Sequence, residues 1–190
     1  MRLDYRIFDS LALSIALIAI ASIISGLGFI FRYALLDYSF VGIIIEGFCL
    51  ISGFILIPLI IVRLLEIKVQ YPKLSKESAI VLFLIILVAS SLMLQINEAI
   101  HSFFIAMSEE IFFRVIIFSV LLRYFSRNQT IVIGSLLFGF LLHLNGDFFV
   151  NAVIKFPASV LLYYLAHFYG IQYSIGVHWF YNVLVSTLFI

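Results

Sequence analysis

Glu109 and Glu110 stand side by side in an apolar run, and Arg114 follows the second acid by four residues; His143 closes another apolar run, and His178 with Asn182 repeats the four-residue spacing in a third. Carboxylates and imidazoles move protons to and from water, while amide and ring N–H groups hold a developing oxyanion. On a helix, residues four apart share a face, so Glu110 and Arg114 pair while Glu109, turned by about 100°, points elsewhere. One acid is neutralised and one is left free. A staple needs one carboxylate per guanidinium, and burying another is costly unless something uses it.

The free acid fits a general base acting on water, and His178 with Asn182 places two neutral donors on one helix face. Each cluster alone also reads as architecture: Glu110 and Arg114 as a packing staple, His178 or Asn182 as an interhelical hydrogen bond, His143 as an interfacial group beside Asn145 and Asp147. Their joint presence favours one polar pocket inside a helical bundle. A metal stays open, because Glu109, His143 and His178 form a His-His-Glu set of the catalytic zinc type, although no His-Glu-x-x-His run is present. Nucleophilic catalysis has less support: Cys49 has no histidine near it in sequence, no Gly-x-Ser-x-Gly elbow occurs, and Ser108 lies on a different helix face from Glu109.

The elements that must position these groups are membrane helices. A chain that is 65% hydrophobic and 11% charged, with a mean hydropathy of +1.24, carries more apolar surface than one soluble core hides. Seven apolar stretches can be drawn, roughly 8–31, 39–62, 79–96, 99–122, 130–144, 149–167 and 171–190. About 20 residues cross the hydrocarbon core. Most stretches qualify; 130–144 is short, and is tilted or broken near Asn145-Gly146. The expectation is an all-α polytopic bundle of about seven spans, a single integral membrane domain over 1–190, with the first stretch retained for want of a small-x-small cleavage site.

Charge gives an orientation. Arg2, Arg6, Arg63, Lys68, Lys73, Lys76, Arg123 and Arg127 fall on one side, and Arg32 with Asp37, Glu98 and Asp147 on the other. The basic side is expected to be cytoplasmic, and the amino terminus with it. The connection from Arg63 to Ser78 alternates apolar with basic and polar residues and reads as a segment held to anionic lipid. Glu98, His101 and His167 lie near span ends, where polar groups reach headgroups cheaply, and Glu46 is deeper with no evident partner. A net charge of +1 gives no case for nucleic acid, the single cysteine permits no internal disulfide, and no Gly-x-x-x-Gly speaks to oligomeric state.

Glu-Glu-Ile-Phe-Phe-Arg at 109–114, a run ending in His143, and His178-Trp-Phe-Tyr-Asn182 come in the order of the three motifs of the CPBP family, the type II CAAX prenyl endopeptidase and bacteriocin-processing (Abi) membrane proteins, which this chain resembles over roughly 100–190. It departs from the pattern in two places. The family's second motif is Phe-x-x-x-His, whereas residue 139 is Gly with Phe138 and Phe140 beside it, and Val115 stands where Gly commonly follows the Arg. The resemblance implies a glutamate-dependent intramembrane endopeptidase working without a metal cofactor, open to the cytoplasmic side, on a peptide or lipidated protein. Glu109 and His143 would activate water, His178 and Asn182 would hold the oxyanion, and Glu110 with Arg114 would support them. A silent immunity or interaction protein of the same family, and a small transporter using the acids and histidines as a relay, are the competing expectations.

Overall fold

A computed structural model describes residues 5–36, 40–93, 96–144 and 147–188. Among the described residues seven helices follow one another: α1 (5–36), α2 (40–64), α3 (76–93), α4 (96–121), α5 (127–142), α6 (148–169) and α7 (171–188). No β-strand occurs among the described residues. Each helix falls on one of the seven apolar stretches. Four of them, Arg6–Ala34, Phe40–Leu64, Lys76–Met93 and Phe148–Tyr169, are long and apolar enough to cross a membrane, and Arg127–Leu142 is shorter. The polar residues of α4 (Glu98, Glu109, Glu110 and Arg114) and of α7 (Gln172, His178 and Asn182) dilute those two helices. Arg2, Asp37 and the expected break at Asn145-Gly146 lie outside the described residues.

In lipid there is little hydrophobic drive between helices, so packing and interhelical hydrogen bonds hold a bundle together. The main core gathers Leu17, Phe54, Phe112, Phe113, Ile116 and Tyr163, buried between α1, α2, α4 and α6. A second group, Ile86, Ala106, Trp179 and Val183, joins α3, α4 and α7. There the Trp179 indole N–H donates to the Ala99 carbonyl at 2.9 Å. Bulky residues such as Phe8, Leu92, Phe149 and Leu188 are exposed, as suits contact with acyl chains.

Among the described residues the backbone takes a π-helical path over Arg32–Leu36 in α1, Ser52–Leu56 in α2, Phe112–Ile117 in α4, Leu137–Leu142 in α5, and Asn151–Lys155 and Leu165–Tyr169 in α6. Such turns carry an extra residue and are frequent at functional sites. The connection between α2 and α3 is strapped to the bundle rather than merely laid on lipid: Ile67 is buried, the Gln70 N–H donates to Ser119 Oγ at 2.8 Å, and the Lys73 carbonyl accepts from the Ile171 N–H at 3.0 Å. That last bond fixes the start of α7, three residues before Ser174.

Candidate active site

Glu110 is the hub that joins three helices. It is fully buried, and Arg114, one turn along α4, grips it with two hydrogen bonds of 2.9 and 3.0 Å. From α6, Ser159 Oγ accepts the third Arg114 bond at 2.9 Å, and the Tyr163 ring lies 4.1 Å beneath the guanidinium. From α7, the Ser174 hydroxyl donates to Glu110 Oε2, and His178 Nδ1 meets Oε1 at 2.9 Å. A carboxylate gripped twice by a guanidinium has no proton to give, so Nδ1–H of His178 is the donor.

The second ring nitrogen of His178 is thereby aimed at Glu109, 3.7 Å from its Oε2. Glu109 takes no part in the Glu110–Arg114 grip, which is the separation of the two acids that a helix with adjacent carboxylates dictates. Glu109 and His143 line a cavity of about 310 Å³ with Ser22, Ser25 and Glu46 on the opposite wall. His143, His178 and Asn182 line a second, mostly apolar cavity of about 420 Å³. His143 belongs to both, so Glu109, His143, His178 and Asn182 line two cavities that share one residue, with Glu110 and Arg114 buried behind His178.

The shift of one residue before His143 finds a physical explanation. Nδ1 of His143 donates to the Phe138 carbonyl at 2.9 Å, a five-residue span. That is the reach of the π-helical path over Leu137–Leu142, one residue longer than an α turn. Phe138 therefore serves where a four-residue spacing would place residue 139. Its ring packs edge-on against His143 at 5.0 Å and against His178 at 5.8 Å. Gly139 faces α6 instead, where a Cβ would lie 3.2 Å from the Phe156 backbone nitrogen. Asn151 of α6 completes the seat of His143 by donating to its carbonyl at 2.9 Å.

Among the described residues no three His, Cys, Asp or Glu side chains are grouped as metal ligands are, Glu109, His143 and His178 included.

The geometry brings together a free acid, two histidines each anchored through Nδ1, and an asparagine, spread over α4, α5 and α7. The family described as Rce1-like, type II CAAX prenyl endopeptidase, matches residues 78–184, more than half of the chain. The chain belongs to that family. Membership in the CAAX prenyl endopeptidase family implies a protease, a hydrolase of the membrane, and the apolar helices agree with an integral membrane protein. Comparison with curated proteins and with solved structures gave no match.

The match begins at residue 78, yet α1 and α2 supply the far wall of the Glu109 cavity. There the structure shows a second ionic cluster that sequence reading passed over. Arg32 bonds Glu46 and Glu98, each at 2.9 Å, and His101 Nε2 lies 3.1 Å from the other Glu46 oxygen. Arg32 is fully buried. The available signal was Glu46 itself, since an acid deep in an apolar helix demands a cation, and Arg32 and His101 are the candidates at either end.

Proposed function

We propose that this protein is an intramembrane endopeptidase, hydrolysing a peptide bond of a membrane-associated or lipidated peptide or protein with water activated by Glu109 and the histidines. The observation that carries the reading is the pair Glu109 and His178, held 3.7 Å apart by the fixed Glu110–Arg114 unit. At that separation both side chains reach one water molecule, while neither is consumed by a direct bond to the other.

In this reading Glu109 accepts a proton from water as the new oxygen–carbon bond forms at the scissile carbonyl. Asn182, in the neighbouring cavity that shares His143, donates to the oxyanion. Collapse of the tetrahedral intermediate breaks the carbon–nitrogen bond, and the proton held on Glu109 passes to the leaving amine. Nδ1–H of His143 and of His178 is committed to the Phe138 carbonyl and to Glu110, so in the neutral ring Nε2 is the acceptor left to each. Both therefore orient water, and either can share its proton; this gives His178 a different task from the oxyanion role that the resemblance implies, because its Nδ1–H is held by Glu110. The cavity bearing Ser22, Ser25 and Glu46 suits water, and the apolar one suits substrate side chains or a lipid. A prenylated CAAX protein, a leader peptide or a bacteriocin precursor would each fit an opening from lipid. The amino terminus is assigned to the cytoplasmic side on the distribution of Arg and Lys.

The test is mass spectrometry of a mixed peptide and lipopeptide library after incubation with the purified protein, its Glu109→Gln variant, and the wild type with a strong chelator. New termini from wild type alone, produced with or without chelator, support the reading. Identical products from Glu109→Gln would overturn it.

A further inference from the structure

Asn151, Lys155, Ser159 and Tyr163 recur every four residues along α6. Three of them hold the site: Asn151 bonds the His143 carbonyl, Ser159 accepts from Arg114, and Tyr163 lies beneath the guanidinium. Lys155 occupies the remaining position of this stripe, so it faces the same side. A lysine in an apolar helix ordinarily stretches to the headgroups or pairs with an acid. Lys155 instead lines the cavity that holds His143, His178 and Asn182. Among the described residues no carboxylate lies within ion-pair distance of it.

The charge balance gives this cation a task. Glu109 and Glu110 against Arg114 leave one negative charge in a buried site. When Glu109 takes the water proton, that charge moves to the oxyanion rather than disappearing. Nδ1–H of each histidine is already committed elsewhere, and Nε2 of each is given to the attacking water in the proposed mechanism. Resting on the hydrolase reading above, we propose that Lys155 is a catalytic residue whose ammonium, together with Asn182, stabilises the oxyanion of the tetrahedral intermediate. A cation on the wall of a mostly apolar cavity stabilises developing charge better than it would in open water.

The experiment measures kcat and KM for the best-cleaved library peptide with wild type, Lys155→Met, Lys155→Arg and Glu109→Gln in one detergent or nanodisc preparation, with thermal unfolding of each. Loss of one oxyanion donor predicts a fall in kcat of about 100-fold or more for Lys155→Met. KM should stay within about threefold, as for an interaction made only in the transition state. Lys155→Arg keeps the charge and should recover most of the rate, while Lys155→Met, an apolar replacement in an apolar helix, unfolds no earlier than wild type. A wild-type kcat in Lys155→Met, or a raised KM with kcat unchanged, overturns the proposal while an inactive Glu109→Gln leaves the hydrolase reading standing. Cleavage by Glu109→Gln at the wild-type rate, or none by wild type, would overturn the hydrolase reading and this role with it.

Discussion

His178 bonds Glu110 through Nδ1 at 2.9 Å and turns Nε2 towards Glu109 at 3.7 Å. One ring thus links the acid that is fixed to the acid that is free. Glu110, itself held by Arg114 and Ser174, sets the tautomer and the angle of the imidazole, much as a buried carboxylate orients a catalytic histidine elsewhere.

The two adjacent acids should separate cleanly by experiment. Glu110→Gln leaves Arg114 buried without its carboxylate, a change worth about 3–5 kcal/mol of stability. Glu109→Gln removes no ion pair of Arg114 and should unfold within about 1 kcal/mol of wild type while losing cleavage. Thermal unfolding in detergent checks both. Equal destabilisation by the two substitutions would show that Glu109 is part of the staple.

Restoring the family spacing at residue 139 should harm this protein. A Cβ at Gly139 already lies 3.2 Å from the Phe156 nitrogen and 3.4 Å from the Asn151 carbonyl oxygen, so Gly139→Ala is expected to cost about 1–3 kcal/mol by overpacking. Gly139→Phe, which rebuilds Phe-x-x-x-His, should abolish folding or displace α6. A stable and active Gly139→Phe protein would mean that the π-helical path of α5 is not what seats His143.

The amino-terminal cluster predicts an asymmetry between its acids. Glu46 is buried against Arg32 and His101, whereas the Glu98 side chain is 38% exposed. Glu46→Gln should therefore destabilise by about 3–5 kcal/mol, and Glu98→Gln by less than about 1 kcal/mol after screening by solvent. Cleavage rate per folded molecule should fall further for Glu46→Gln, because Glu46 also lines the Glu109 cavity. Similar unfolding temperatures for the two variants would contradict the assignment.

Much of this was legible in the chain. Apolar run length located the seven helices, and the four-residue spacing of Glu110 and Arg114 gave their pairing, because both follow from local geometry. The role of Phe138 was not legible: a π-helical turn adds a residue that spacing rules for an ordinary helix cannot anticipate, and the reason for it, the close approach of α6 at Gly139, is tertiary. Arg32, Glu46, Glu98 and His101 were hidden for a related reason. Charges near helix ends look like interfacial groups until the packing of α1, α2 and α4 brings them together. The strap uses the backbone N–H of Gln70 and the backbone carbonyl of Lys73, which side-chain patterning does not encode.

The most direct test of the central claim is a double-mutant cycle on Glu109 and His178, measuring cleavage of one library peptide by wild type, Glu109→Gln, His178→Gln and the double variant. If the two side chains activate one water as a unit, the double variant loses no more than the worse single variant, the pronounced non-additivity expected of a catalytic pair. Losses that multiply, each substitution acting as though the other residue were absent, would contradict it.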